Sequence, residues 1–184
     1  MDRSWHIGAA MVAVAALAPA TAQAKDLVVS IDSRTMPWSS GANPKFRYGL
    51  ADGRPPKVIF DSTIRPGIPI SFKVTGSTTT VMGGGTFTAL GDTSFPQDRG
   101  TALFPSHYIK SKKPVFLNQL VGVFISADGS IVGEPFGIGE AAEQRVPDGA
   151  VALSLGLNDD RFSDNTGTLK VEIHIGEATV TVEP

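Results

Sequence analysis

Apolar and polar positions alternate along most of this chain with a period of two, the spacing that sends successive side chains to opposite faces of a strand. Leu169-Lys-Val-Glu-Ile-His-Ile175 and Val151-Ala-Leu-Ser-Leu-Gly-Leu157 are the clearest cases. Each predicts one face in a core and the other toward water. Leu27 to Ile31 is a short β-branched run, and Val58 to Phe60 and Ile68 to Val74 read as two strands joined through Arg65-Pro66-Gly67. Leu117 to Ser126 is the most strand-like segment, and Asp128-Gly129 supplies a hairpin turn before Ile131-Val132.

Between these runs the chain is punctuated by turn residues. Met36 to Pro56, with Pro37, Pro44 and Pro55-Pro56, reads as loop, a loose edge with an edge strand near Phe46 to Tyr48. Thr78 to Val81 leads into Gly83-Gly84-Gly85, and Gly91 to Gly100 reads as a polar loop. Only Gly139 to Arg145 suggests a helical turn, and it lacks a long apolar stripe. Six to nine short strands spaced by turns predict an all-β, antiparallel sandwich in one domain. The 20 glycines and 13 prolines among 184 residues agree, against a usual combined share of about 12%.

The start of the chain carries a different signal. Arg3 and His6 precede an apolar run from Ile7 to Ala18, and Ala22-Gln23-Ala24 forms an A-x-A cleavage site. This predicts a signal peptide over residues 1–24, a chain beginning at Lys25, and a secreted or periplasmic location. The run falls well short of the ~20 residues of a membrane-spanning helix, and no later segment supplies a membrane anchor. Lysine plus arginine number 16 against 18 acidic residues. That balance gives no electrostatic footprint for nucleic acid. There is no cysteine, which removes disulfides, thiolate chemistry and cysteine-ligated metals together.

Catalytic constellations are sparse. His107 follows Pro105-Ser106 in a loop, and His174 sits at a solvent-facing strand position beside Glu172. Neither G-x-S-x-G nor H-E-x-x-H occurs, and the triple glycine lacks the Gly-Lys-Ser/Thr ending of a phosphate loop. A carboxylate-based glycan-active enzyme, using Glu134 or Glu140 with an aspartate, is the remaining enzymatic reading.

One segment concentrates chemistry. Asn158, Asp159, Asp160, Asp164 and Asn165 crowd the connection between two alternating strands. Three carboxylates in so short a loop repel one another unless a cation neutralises them. Ca²⁺ takes six to eight oxygens from side chains and carbonyls, although the order here is not that of an EF-hand. The same residues also suit a polar turn held by Asx hydrogen bonds, with Arg161 balancing the charge. Both readings stand on the sequence.

Leu120-Val-Gly-Val-Phe124, Pro135-Phe-Gly-Ile-Gly139, Val146-Pro-Asp-Gly149, Leu155-Gly-Leu-Asn-Asp159, Asp164-Asn-Thr-Gly167 and Val171-Glu-Ile173 together resemble the PA-IL-like, calcium-dependent, galactose-binding lectins and related galactose-binding-like modules. The resemblance covers roughly residues 68–176. It implies a jelly-roll β-sandwich and a Ca²⁺ held by Asp159, Asp164 and Asn165, with carbonyls from Arg161 and Thr80. In the family this ion also holds two sugar hydroxyls. Gly91 to Gly100 resembles the family's second sugar loop, which implies sugar contacts from Asp92, Phe95, Gln97 and Asp98. Phe95 stands where the family has a histidine, and one residue is inserted before Gly100. The family lectins are oligomeric, which implies an oligomer as one option here.

The sequence thus predicts a secreted or periplasmic, non-catalytic module that binds Ca²⁺ and carbohydrate through it. The alternative is a structural or protein-interaction sandwich in which calcium is absent or only stabilising.

Overall fold

The computed structural model describes residues 24–96 and 103–176. The expected signal peptide falls almost wholly, and Gln97 and Asp98 entirely, outside the described residues. The strands are β1 Lys25–Asp32, β2 Lys57–Phe60, β3 Pro69–Thr79, β4 Thr86–Phe87, β5 Asp92–Pro96, β6 Phe116–Leu117, β7 Leu120–Ile125, β8 Ile131–Gly137, β9 Ala141–Arg145, β10 Ala152–Leu157 and β11 Thr166–Ile175. The pairings between them are antiparallel.

One sheet runs β1-β11-β3, and the free edge of β3 takes both β9 and the short β4. The other runs β2-β10-β7-β8, and β5 pairs with β6 separately. Setting β4 to β6 aside, the eight principal strands switch between two four-stranded sheets at every step except β7 to β8, which pair in the same sheet, in jelly-roll order. The small strands β4, β5 and β6 all belong to the crossover from β3 to β7.

The alternation read from β11 holds. Leu169, Val171, Ile173 and Ile175 are buried, while Lys170, Glu172 and His174 lie on the outer face. The inward residues meet Ile70, Phe72 and Val74 of β3 and Leu153, Leu155 and Phe124 of the opposite sheet in one continuous core. Each fully buried Leu or Ile contributes roughly 1.5–3 kcal/mol of transfer free energy.

β10 departs from its expected pattern. All six of its residues are buried, rather than every second one. The cause is the stretch from Ser33 to Pro56, which crosses its outer face as a strap instead of hanging loose. Ser154 Oγ donates to the Pro37 carbonyl at 2.7 Å. At Gly156 an added Cβ would stand 2.3 Å from the Met36 carbonyl carbon, so only glycine admits the strap there. Trp38 and Tyr48 are 1% and 3% exposed. Trp38 Nε1 donates to the Phe46 carbonyl and Tyr48 Oη to the Trp38 carbonyl, at 2.8 and 2.7 Å. A strap that buries its aromatics and closes its own hydrogen bonds is a structural element.

Three local expectations are corrected. Pro44–Phe46 is a 3-10 turn, and no strand forms at Phe46 to Tyr48. Asp92–Pro96 is a strand, because it pairs with β6. The expected helical turn near Gly139 to Arg145 is the strand β9, whose Ala141 to Arg145 zip onto Lys73 to Pro69. A free edge on β3 outweighs the weak intrinsic preference of Ala-Ala-Glu-Gln-Arg.

Candidate cation and ligand site

The site lies where β10 runs out and the chain turns back into β11. Asn158 fixes the approach. Its Oδ1 accepts from the Ser106 N–H and its Nδ2 donates to the Phe116 carbonyl, both at 2.8 Å. Its backbone exchanges hydrogen bonds with Gln119 and Asn118. A single buried carboxamide thus clamps the β3–β7 crossover to the end of β10.

Asp159 comes next and is 3% exposed. Its Oδ1 accepts from the Asp160 and Arg161 N–H groups at 2.7 and 3.3 Å, and its Oδ2 from Asn165 Nδ2 at 2.8 Å. Burial, the largest effect, outweighs these bonds and pushes the Asp159 pKa up to about 7, with Asp160 repelling the charged form as well.

Asn165 is 2% exposed. Its Nδ2 also donates to the Ser33 carbonyl at 3.3 Å and points at Asn118 Oδ1 at 3.5 Å. Three acceptors around the nitrogen fix which end of the amide is oxygen. The Asn165 Oδ1 is buried with no donor, and so is the Asp164 Oδ1. Unsatisfied oxygens in a folded interior are rare and costly, and they call for a partner.

Beside them opens a cleft of about 360 Å³. Six residues singled out from the sequence line it together: Thr80, Phe95, Asp159, Asp160, Arg161 and Asp164, with Phe104 and Leu117 adding to its walls. Arg161 lines this cleft with Asp159, Asp160 and Asp164 but makes no direct ion pair with any of them among the described residues. Asp92 is not in the cleft wall. Its Oδ1 accepts from the Ser94 N–H and Oγ at 3.0 and 2.6 Å, closing a turn within β5.

Among the described residues no three Asp, Glu or His side chains group as a metal cluster. The side-chain oxygens on offer are mixed instead: the carboxylates of Asp159 and Asp164 and the carboxamide of Asn165. That donor set fits a hard cation of variable coordination such as Ca²⁺, which readily takes carboxamide and carbonyl oxygens.

Sequence reasoning missed the residues that hold this loop in place. Asp52, on the strap, accepts from the Phe162 N–H at 2.9 Å and from Ser163 Oγ at 2.6 Å. The Leu50 N–H donates to the Asp160 carbonyl at 2.9 Å, and a Cβ on Gly49 would strike that same oxygen. Asn118, at φ +59, donates to Thr78 Oγ1 and the Thr79 carbonyl and so sets where Thr80 emerges. Asn118 falls inside Leu117 to Ser126, which the sequence reads as one continuous strand, whereas the strand breaks there between β6 and β7. We expect Asp52→Ala to leave the sheets intact, to cost roughly 1–3 kcal/mol and to speed hydrogen exchange at Phe162. Unchanged exchange there would remove Asp52 from this role.

The other candidates for chemistry lie elsewhere. Glu134 is ion-paired with Lys110 at 2.6 Å on the surface, and His174 pairs with Asp26 at 2.7 Å on the outer face of the first sheet.

No protein-family model matches the chain, and no curated protein does. Among solved structures, the N-terminal domain of EclA, described as a PllA-like lectin, is similar to 80% of this chain over 94% of its own length. The identity is 13% and the TM-score 0.44. At that overlap nothing is inferred from the neighbour, and the fold stands on the strand order above.

Proposed function

We propose that this chain binds Ca²⁺ at the turn between β10 and β11 and holds carbohydrate partly through that ion, as a non-catalytic module of a secreted or periplasmic protein. The observation that carries the reading is the pair of buried, donorless oxygens, Asp164 Oδ1 and Asn165 Oδ1, next to the buried carboxylate of Asp159. In this reading Asp159, Asp164 and Asn165 hold the ion, with carbonyls from Arg161 and Thr80. A Ca²⁺ of high coordination number retains positions that two neighbouring hydroxyls of a sugar can take in place of water.

The cleft wall supplies the rest of a sugar site. Phe95 is 53% exposed and offers an apolar ring for a sugar face. Asp92, which lies outside the cleft wall, and Gln97 and Asp98, which lie outside the described residues, are the proposed hydrogen-bonding partners for the sugar's hydroxyls. One observation favours the structural alternative: both oxygens of Asp159 already accept hydrogen bonds from their own loop, as in a site built for stability alone.

A glycan array probed with and without Ca²⁺ separates the two. Binding to a restricted set of glycans that disappears in EDTA is expected. A blank array alongside a calcium-dependent rise in melting temperature would leave the structural module. Turnover of a bound glycan would instead identify an enzyme.

A further inference from the structure

A second cleft, of about 720 Å³, opens on the flank of the sandwich where β8 and β9 form the edges of the two sheets. It is well within the range of about 300–1,000 Å³ typical of small-molecule sites. The segment before β7 forms its other wall and contributes Phe116 and Gln119. Gln119 is only 6% exposed, and its Oε1 accepts from the Phe116 N–H at 2.9 Å. Its Nε2 makes no hydrogen bond among the described residues.

The backbone opposite makes room for that nitrogen. An added Cβ would stand 2.9 Å from Gln119 Nε2 at Gly137 and 3.5 Å from it at Gly139. Gln119 is buried as a residue, but its amide nitrogen stays accessible, an open donor at the cleft surface set against two glycines. Gln144, half-buried on β9, Glu140 and Glu143 line the same space, and Phe136 lies at its floor.

We infer that this flank cleft is a second, cation-independent binding site for a neutral sugar ring. The argument is one of donor and acceptor matching. Gln119 Nε2 and the Lys113 ammonium, which also lines the cleft, favour acceptors on the ligand, whereas Glu140 and Glu143 favour donors. An ammonium group donates only, and it would leave Gln119 stranded and meet Lys113 as a like charge. A carboxylate accepts only, and it would meet Glu140 and Glu143 as like charges. A hydroxyl does both, so a ring bearing several hydroxyls answers the whole wall without carrying charge. Its apolar face rests on Phe116 and Phe136. The site shares no lining residue with the Asp159 cleft, so it stands or falls apart from the calcium reading.

Isotope-labelled protein in EDTA, titrated with millimolar glucose, galactose, mannose, xylose and N-acetylglucosamine, tests it by NMR. At least one sugar should shift the Gln119 side-chain amide and the Gly137 to Gly139 backbone signals saturably, and equally when Ca²⁺ replaces EDTA. Gln144→Ala and Glu140→Ala alter residues whose side chains make no hydrogen bond among the described residues, so both variants should fold. Each should weaken the binding about tenfold, the loss of one ligand hydrogen bond. No saturable shift at Gln119 with any of the sugars would overturn the inference. So would shifts that both variants leave unchanged, or shifts that require Ca²⁺.

Discussion

Calcium added to metal-stripped protein at a hundredfold excess over its Kd should raise the melting temperature by roughly 5–11 °C. A ligand that binds only the folded state at that excess adds about 2.7 kcal/mol, and a domain of this size shifts by about 2–4 °C per kcal/mol. The physical source is the donorless pair Asp164 Oδ1 and Asn165 Oδ1, which gain a partner, together with a buried carboxylate that gains a counter-charge. Asp159→Ala should abolish the response. Asp164→Asn keeps an oxygen but gives up a charge, so it should weaken the response without abolishing it. A melting curve indifferent to millimolar Ca²⁺ would leave those oxygens unexplained and remove the cation site.

The second large effect is a dependence on pH that runs opposite to ordinary acid denaturation. The Asp159 pKa is raised by burial to about 7 in the folded chain, from 3.8 when unperturbed. The folded state therefore holds the proton more tightly. The stabilisation from that proton is complete below about pH 4 and is lost as pH rises toward 7. At about 1.4 kcal/mol per pKa unit the loss is on the order of 4 kcal/mol. Asp61 shows the usual opposite case: hydrogen bonds from Lys25 and Thr63 hold its pKa down to about 2, so it matters only in stronger acid. Melting in EDTA from about pH 4 to 8 should show falling stability, and Asp159→Asn should flatten the curve. Ca²⁺ competes with the proton for the same oxygens and should also flatten it. A decline that survives Asp159→Asn would place its origin elsewhere.

Much of the sandwich was legible because its strands are half-buried. In β11, Leu169, Val171, Ile173 and Ile175 alternate with polar residues, and that pattern is a direct imprint of one wet and one dry face. β10 carries the same alternation of types, yet both its faces are covered, since the strap that covers it comes from far away in sequence. β9 has no imprint of its own and exists because β3 offers an open edge. The site divides in the same way. Asp159, Asp164 and Asn165 announce themselves by composition, and Thr80, Phe95 and Arg161 join Asp159 and Asp164 at one cleft. Asp52 could not be foreseen, because its partners Phe162 and Ser163 lie 110 and 111 positions away and an aspartate in a Gly/Pro-rich stretch looks like any other turn residue.

The three short strands in the β3–β7 crossover have an evolutionary corollary. They contribute no pairing to the β2-β10-β7-β8 sheet and only the two-residue β4 to the other, yet this excursion supplies Thr80, Phe95, Phe104 and Leu117 to one cleft and Phe116 and Gln119 to the other. Insertions, deletions and side-chain exchange in the crossover between β3 and β7, held in place by Asn118 and Asn158, can therefore reshape both clefts while the eight-stranded scaffold stays invariant, in the manner of a hypervariable loop on a constant frame.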